Sequence, residues 1–223
     1  MCGRFVGYRD LEELRRFFPI DKTACAVTAN FNVAPRQEVL AINTRNGENW
    51  LDRHHWGLVP FWARDRSIGD RLINARAETV AEKPSFRNAF RKRRCLILAD
   101  GFYEWAGPQG RKRPFFITLS KERPFAFAGL WERWENRGRT EPAYLSCTII
   151  TTAACPSLQE VHHRMPVVLS PEAYPLWLDP SMQDPQILLG HLKQWTWTDF
   201  TYRPVSPRVN TARNNSRDLI EGV

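Results

Sequence analysis

Two spacings of apolar and polar positions recur along the chain, and they predict helices and strands respectively. Near the N-terminus, Leu11, Leu14 and Phe18 recur at helical spacing behind Asp10, a candidate N-cap with Glu13 three positions on. Elsewhere, short apolar or alternating runs bounded by turn residues predict β-strands. The predicted strand segments are EVLAI, LDRHHWGLVP, RLIN, RCLILA, GFYEW, PFFITL, PFAFAGLWERW, YLSCTIITT and MPVVLS.

The connections between these segments predict the fold class. An Asn-Gly pair in NTRNGENW is typical of a hairpin turn, and Asp100-Gly101 separates two extended runs. Ser170 and Pro171 predict the start of a helix over SPEAYPLWL. Because strands mostly follow one another by short turns, we predict an α+β fold built on antiparallel sheet rather than βαβ units. Without a repeat or an obvious linker, we expect a single domain over residues 1–223.

Composition places the chain among ordinary globular proteins. Of its 223 residues, 43% are hydrophobic and 25% are charged. No run approaches eighteen apolar residues, so we expect no membrane span. The first ten positions already include acidic and basic residues, and we therefore expect no signal peptide and a cytoplasmic location.

Charge adds a candidate partner. The formal net charge is +8, and basic residues cluster in FRNAFRKRRC (86–95) and in GRKRP, while the chain holds nine tryptophans. Basic side chains neutralise phosphates, and aromatic rings stack on unpaired bases. Single-stranded nucleic acid is therefore a candidate partner.

The cysteines argue against a disulfide framework and against a metal site. They number five, an odd count, and form no C-x-x-C pair. Cys95 and Cys147 lie in apolar runs and are expected to be packing residues, and we expect neither metal nor cofactor. Cys2 differs because removal of Met1 gives it a free α-amine beside its thiol. Such a 1,2-aminothiol condenses with aldehydes to a thiazolidine, although a small buried hydrophobe is the alternative interpretation.

Other polar residues interrupt the apolar pattern. In GFYEW, Glu104 shares a face with Phe102, where desolvation would raise its pKa and suit it to proton transfer. The alternative is an edge-strand glutamate facing water. Asn74 in LINAR, Asn32 in FNVAP and His162 before MPVVL each suit a site residue, or else a local hydrogen bond.

Six motifs, taken in order, give the sequence a resemblance to a known family. The motifs are MCGRF, NVAP, WGLVPFW, INARAE, DGFYEW and VHHRMPVVLS. Together they resemble the SRAP family, the SOS-response-associated peptidase-like proteins that crosslink to abasic sites in single-stranded DNA. The resemblance runs from residue 2 to about residue 210.

This resemblance implies a fold and a reaction. It implies an α+β domain with a twisted, barrel-like antiparallel sheet and a basic DNA channel. It also implies that the aldehyde of an opened abasic sugar is captured as a thiazolidine, which shields the lesion in the DNA damage response. The implied catalytic residues are Cys2, Asn74, Glu104 and His162. The implied DNA contacts are Arg4, Asn32, Trp62 and Arg76.

Two positions depart from the family pattern, and two other functions stay open. His163 stands where an aspartate is usual, and Ala63 stands where many members have a second aromatic residue. One alternative is an N-terminal-nucleophile peptidase in which Cys2 attacks an amide. Another is a single-stranded DNA-binding module with an inert Cys2. We expect a monomer, located at the nucleoid if the source is bacterial.

Overall fold

The computed structural model describes residues 2–108, 110–136, 143–194 and 196–223, and strands make up most of its regular structure. The strands are β1 (Phe5–Gly7), β2 (Lys22–Thr23), β3 (Asn30–Val33), β4 (Glu38–Arg45), β5 (Glu48–Trp56), β6 (Asn74–Arg76), β7 (Arg94–Ala99), β8 (Gly101–Ala106), β9 (Arg113–Leu119), β10 (Phe125–Trp134), β11 (Tyr144–Ala153), β12 (Arg164–Pro166), β13 (Val168–Leu169) and β14 (Phe200–Pro204). The helices are α1 (Leu11–Phe17), α2 (Arg87–Lys92), α3 (Tyr174–Leu178) and α4 (Pro185–Gln194). Short 3-10 turns lie at Arg66–Arg71, Pro156–Leu158, Pro171–Ala173, Pro207–Asn210 and Arg217–Ile220.

These strands form two sheets, which confirms the predicted α+β class. In the described residues one sheet has the order β14-β9-β8-β1-β3 and is antiparallel throughout. The other runs β12-β11-β10-β7-β4-β5-β2, with β13 paired to β10 and β6 paired to β11. An additional parallel pairing of β11 with β5 joins non-adjacent strands of this larger sheet. That pairing closes a ring of strands and gives the sheet its barrel-like form.

Apolar side chains pack four layers together: the helices, the larger sheet, the smaller sheet and the C-terminal residues. Helices α1 to α4 cover one face of the larger sheet, with Leu14, Tyr174 and Leu188 among the buried contacts. A second cluster, which includes Phe5 and Phe102, joins the two sheets. A third cluster packs the C-terminal residues onto the outer face of the smaller sheet. Strands β1 and β8 therefore lie between the larger sheet and the C-terminal segment.

Local signals explain the elements that the sequence predicted. Asp10 accepts from the Glu13 N–H at 2.8 Å, and the Glu13 carboxylate accepts from the Asp10 N–H, so a capping box begins α1. Asn46 and Gly47 both adopt positive φ angles, as the tight turn between β4 and β5 requires.

Gly101 permits the chain to pass from one sheet to the other. A Cβ at this position would lie 2.4 Å from the ring of Phe116 and 2.9 Å from the carbonyl oxygen of Ile117. Only glycine fits without displacing β9, and β8 therefore continues directly from β7 into the smaller sheet.

Two predicted elements near the C-terminal third differ from expectation. The MPVVLS run is two short strands, because the chain leaves β11 after Pro166 and pairs with β10 from Val168 onward. The following helix begins as a 3-10 turn, and the Ser170 side chain makes no capping hydrogen bond to it.

The basic run at residues 86–95 was interpreted as a nucleic-acid surface, but part of it is structural. It contains α2, which the sequence analysis missed, as it missed α4. Arg94 is buried and donates to the carbonyl oxygens of Phe90, Arg91, Trp177 and Asp179. Arg93 pairs with Glu132 at 2.8 Å. Neither guanidinium is therefore a free surface charge.

In the described residues, no helix is long and apolar enough to cross a membrane. The same part of the chain holds no group of three or more His, Cys, Asp or Glu side chains that could hold a metal ion.

Candidate active site around Cys2

Cys2 lies just ahead of β1 and has no exposed surface. It belongs to the cluster that joins the two sheets, together with Phe5 and Phe102. Burial raises the pKa of the Cys2 thiol well above its usual value, and the nearby charge of Glu104 raises it further. The sulfur is therefore held as a neutral thiol, and it needs a proton acceptor before it can act as a nucleophile.

Asn74, the first residue of β6, is in direct contact with this cysteine. Its Nδ2 donates to the carbonyl oxygen of Cys2 at 2.8 Å. Its Oδ1 is buried and accepts no hydrogen bond from the described residues. Because a buried acceptor left unsatisfied is costly, this oxygen is suited to receive a donor from a bound ligand.

Glu104 lies on β8, which is flanked by β1 and β9 and is therefore not an edge strand. Its side chain is 4% exposed. Burial raises the pKa of Glu104 above the usual value, and the charge of Lys112 opposes that shift in part. The interpretation of Glu104 as a solvent-facing glutamate is therefore wrong. A carboxyl group whose pKa is raised in this way is suited to proton transfer.

His162 is held in a tight turn by Arg164. The Arg164 backbone N–H donates to His162 Nδ1 at 2.9 Å, and in a neutral ring this assigns the proton to Nε2. The Arg164 carbonyl oxygen lies 3.1 Å from the same nitrogen and can accept when Nδ1 is protonated. Both protonation states therefore find a partner in the same turn. Burial lowers the pKa of His162, and the stacked ring of His163 contributes in the same direction.

Hydrogen bonds from Arg164 to residues outside the turn hold the turn that carries His162 in place. Arg164 makes a two-pronged ion pair with Glu78, with N–O distances of 2.6 and 3.0 Å. It also donates to the carbonyl oxygen of Thr151 at 2.8 Å. A bidentate pair of this kind restrains both partners. Ring movement at His162 is thereby limited.

The four predicted catalytic residues lie in one neighbourhood. Asn74 contacts Cys2 directly, and the charge of Glu104 acts on the Cys2 thiol. Lys112 acts electrostatically on both Glu104 and His162. In the sequence, Lys112 is one of three basic residues in GRKRP, and nothing local distinguishes it from the other two. Lys112 directly precedes β9, the strand that pairs with β8, and this position is the signal that places it near the site.

Two of the predicted DNA contacts are accessible. The side chain of Trp62 is 45% exposed and follows Phe61, which is 49% exposed. A cavity of about 350 Å³ lies beside Trp62 and is also lined by Arg64 and Arg71. Arg76 is exposed at the end of β6, two residues beyond Asn74. Both residues can therefore meet a strand without rearrangement of the fold.

Of the other two predicted contacts, Asn32 is buried and Arg4 is partly buried. Asn32 has no exposed surface, and Arg4 donates to Asn32 Oδ1 at 2.7 Å. Both side chains also bond to backbone carbonyls of the C-terminal segment. The structure therefore does not bring them together with Trp62 and Arg76 on an open surface.

The chain was compared with models of known protein families. A family model described as SOS response associated peptidase (SRAP) matches residues 1–212. The chain belongs to the SRAP family. The family resemblance of its motifs is thereby confirmed.

Three relatives illustrate the range of this family. The abasic site processing protein YoqW of Bacillus subtilis (strain 168) is 42% identical over 99% of both chains. The abasic site processing protein YedK of Escherichia coli (strain K12) is 32% identical over the full length of both. The abasic site processing protein HMCES of Rattus norvegicus is 34% identical over 74% of this chain and 54% of its own length.

Solved structures share the fold. A protein from Bacteroides thetaiotaomicron superimposes with a TM-score of 0.86 at 22% identity, with full coverage of both chains. One from Bordetella bronchiseptica has a TM-score of 0.75 at 26% identity and covers 92% of this chain.

Proposed function

We propose that this protein captures abasic sites in single-stranded DNA by forming a covalent bond through Cys2. The observation that carries the proposal is the contact of Asn74 with the Cys2 main chain beside the buried carboxyl of Glu104. A terminal aminothiol, an amide and a buried proton carrier are the groups that aldehyde capture needs. The names of the relatives as abasic site processing proteins support the substrate class.

The reaction begins with exposure of the nucleophile. Hydrolysis of the Met1–Cys2 peptide bond frees the Cys2 α-amine, whose reference pKa is about 8, so part of it is neutral at physiological pH. The abasic sugar opens from its ring form to an aldehyde. Protonated His162 donates a proton from Nε2 to the ring oxygen, because its Nδ1 is engaged by the Arg164 backbone, and the proton of the C1 hydroxyl passes to water.

Condensation then proceeds in two bond-forming steps. The amine nitrogen adds to the aldehyde carbon, and loss of one water gives an imine. Glu104 takes a proton from the attacking amine and returns it to the departing hydroxyl. The Cys2 sulfur adds to the imine carbon while its proton passes to the nitrogen, which closes the thiazolidine. Aldehyde and aminothiol thus give thiazolidine and one water, and no oxidant or metal is needed.

Side chains outside the Cys2 site bind the DNA strand. Trp62 and Phe61 offer rings for base stacking, and Arg76 offers a charge to phosphate. Before ring closure, the imine also permits strand cleavage by β-elimination as a side reaction. The crosslinked protein would then shield the lesion. We expect it to act as a monomer, in the compartment that holds the DNA.

A denaturing gel tests the proposal. Purified protein whose intact mass confirms loss of Met1 is mixed with a single-stranded oligonucleotide that carries one abasic site. We expect a band that survives boiling, that requires the abasic site and whose mass equals protein plus DNA minus one water. Cys2→Ala should abolish this band, whereas Cys25→Ala, a matched cysteine control, should retain it.

Borohydride separates the roles of thiol and amine. Cys2→Ala keeps a terminal α-amine once Met1 is removed, so reduction with borohydride should trap its imine and restore a covalent band. Processed wild-type protein that binds the oligonucleotide but gives no boiling-resistant band would contradict the proposal. That outcome would favour a non-covalent binding module.

A further inference from the structure

The Asn32 side chain is directed into the C-terminal segment, residues 207–220. Its Nδ2 lies within hydrogen-bonding distance of three carbonyl oxygens there, those of Val209 (3.3 Å), Thr211 (3.1 Å) and Asn214 (2.9 Å). Asn32 has no exposed surface. An amide group has two N–H donors, and both are directed to this segment.

Arg4 completes the contact from the neighbouring strand. Its Nη1 donates to the carbonyl oxygen of Val209 at 2.6 Å and to Asn32 Oδ1 at 2.7 Å. These carbonyls belong to the end of the 3-10 turn Pro207–Asn210 and the residues after it, and that of Thr211 also accepts from the Asn214 N–H at 3.0 Å. Asn32 and Arg4 therefore add donors to a segment that its own residues cap in part, as Asn214 Nδ2 does by donating to the Arg208 carbonyl oxygen at 2.7 Å.

Other contacts seat the same segment on the smaller sheet. Val209 and Leu219 are fully buried in a cluster with Val6 and Tyr103. Trp105 Nε1 donates to Asn210 Oδ1 at 2.8 Å. Because Tyr103 and Trp105 flank Glu104 on β8, the segment contacts the strand that carries the proton carrier from its opposite face.

The capped segment also lies against the strand that follows the nucleophile. Arg4 is two residues from Cys2, and its carbonyl oxygen accepts from the Tyr103 N–H at 2.9 Å. A shift of the C-terminal segment would therefore be transmitted to Cys2 through Arg4 and to Glu104 through β8. The match to the family model ends at residue 212, inside this segment.

We propose that Asn32 is a positioning residue, which locks the C-terminal segment onto β1 and β8 and thereby sets the relative placement of Cys2 and Glu104. Its contribution to the reaction, which rests on the proposed function, is made through the segment and not by contact with DNA. A direct contact with a phosphate would require the segment to leave, because both ends of the Asn32 amide are already bonded, Oδ1 to Arg4 and Nδ2 to the segment.

The first test measures the segment itself and does not depend on any reaction. Hydrogen exchange is compared for wild type, Asn32→Ala and the control Asn88→Ala, which alters a half-buried asparagine on α2. Loss of the capping donors should speed exchange of the amides in residues 207–215 about tenfold or more, because the segment opens more readily without these hydrogen bonds. Exchange in β7 and β10 should not change.

The second test separates placement from DNA contact. Binding is measured with a single-stranded oligonucleotide that carries a tetrahydrofuran abasic analogue, which has no aldehyde. The crosslinking rate constant is measured at saturating protein with a true abasic site. For Asn32→Ala we expect unchanged Kd and a rate constant lower by about tenfold, because small misplacements of reacting groups are costly.

The outcomes are distinct. Weaker binding with an unchanged rate constant and unchanged exchange would overturn the proposal and restore Asn32 as a DNA contact. Normal exchange in residues 207–215 would overturn it on its own. If wild type formed no crosslink while Asn32→Ala still loosened the segment, the proposed function would fail and the lock itself would stand.

Discussion

The side-chain amide of Asn74 holds the main chain of Cys2 through a 2.8 Å hydrogen bond from Nδ2 to the Cys2 carbonyl oxygen. Its Oδ1 is buried and receives no hydrogen bond from the described part of the chain. One end of the amide therefore fixes the nucleophile, while the other end is available to a ligand. We therefore expect substrate binding at Asn74 to be coupled to the orientation of Cys2.

Asn74→Asp should slow crosslinking more than it weakens DNA binding. The substitution replaces the donor with an oxygen that faces the Cys2 carbonyl oxygen, so the fixing bond is lost and a repulsion replaces it. We expect the single-turnover rate constant to fall about tenfold, as loss of one hydrogen bond of about 1 kcal/mol or more implies. The control is Asn88→Ala, and an Asn74→Asp protein with the wild-type rate would contradict this role.

Glu104→Gln should reveal the carboxyl group in a pH profile. Burial raises the pKa of Glu104, and as a base the group acts only when ionised. The wild-type rate should therefore decline as pH falls through a value above the ordinary glutamate range. The glutamine variant should lose this acid limb and react about 100-fold or more slowly at neutral pH.

Stability gives an independent check on the same variant. A carboxyl group whose folded pKa is raised disfavours the folded state above the unfolded pKa, because the unfolded chain ionises more readily. Glu104→Gln removes that cost, so its melting temperature at pH 7 to 8 should equal or exceed that of wild type. A variant that is both inactive and markedly less stable would indicate a structural role instead.

Local signals in the sequence were sufficient for much of the fold. The Asp10–Glu13 capping box and the Asn46-Gly47 turn depend on neighbouring residues alone, and both form as predicted. Helix α2 was missed because its basic residues masked a short apolar stripe, in which Ala89 and Phe90 are buried. Its neighbour Arg94 is buried by carbonyl groups from α3, which no local pattern records.

The site was predictable in residue type but not in environment. Glu104 could be read as buried or exposed, because the strands beside β8 come from residues 5–7 and 113–119. Asn32 matched a motif, yet its partners are some 180 residues away in the chain. The C-terminal segment has few apolar residues and no periodicity. Neither its packing on the smaller sheet nor its contact with Arg4 could therefore be derived from the spacing of its residues.

Trp62→Ala should weaken binding to single-stranded DNA without removing a charge contact. Its side chain is 45% exposed and flanks a cavity, so a base can stack on it. We expect Kd for an oligonucleotide with a tetrahydrofuran abasic analogue to rise roughly 5- to 100-fold, with an unchanged salt dependence. Tyr202→Ala, which removes an exposed ring on β14 in the other sheet, should bind normally. Equal losses in both variants would argue against a specific stacking site.

His54 should make the fold less stable in mildly acidic solution. The ring is fully buried, its Nε2 lies 2.9 Å from Asn43 Nδ2, and burial lowers its pKa to about 4. The unfolded chain takes up a proton near pH 6.5, whereas the folded chain does so only near pH 4. Between these values the unfolded state holds more protons, so stability that is fully present above pH 6.5 declines as pH falls.

Because of this difference in proton uptake, the free energy of unfolding should fall by about 2 kcal/mol between pH 7.5 and pH 5. The melting temperature should fall by roughly 4 to 8 °C over the same range. His54→Gln keeps a polar group beside Asn43 but cannot titrate, so its melting temperature should vary less over that range. His55→Gln is the matched control, because His55 is half-buried and adjacent in sequence. If His54→Gln and wild type lose stability in parallel from pH 7.5 to pH 5, His54 is not the group that titrates, and the acid sensitivity lies in the ion pairs.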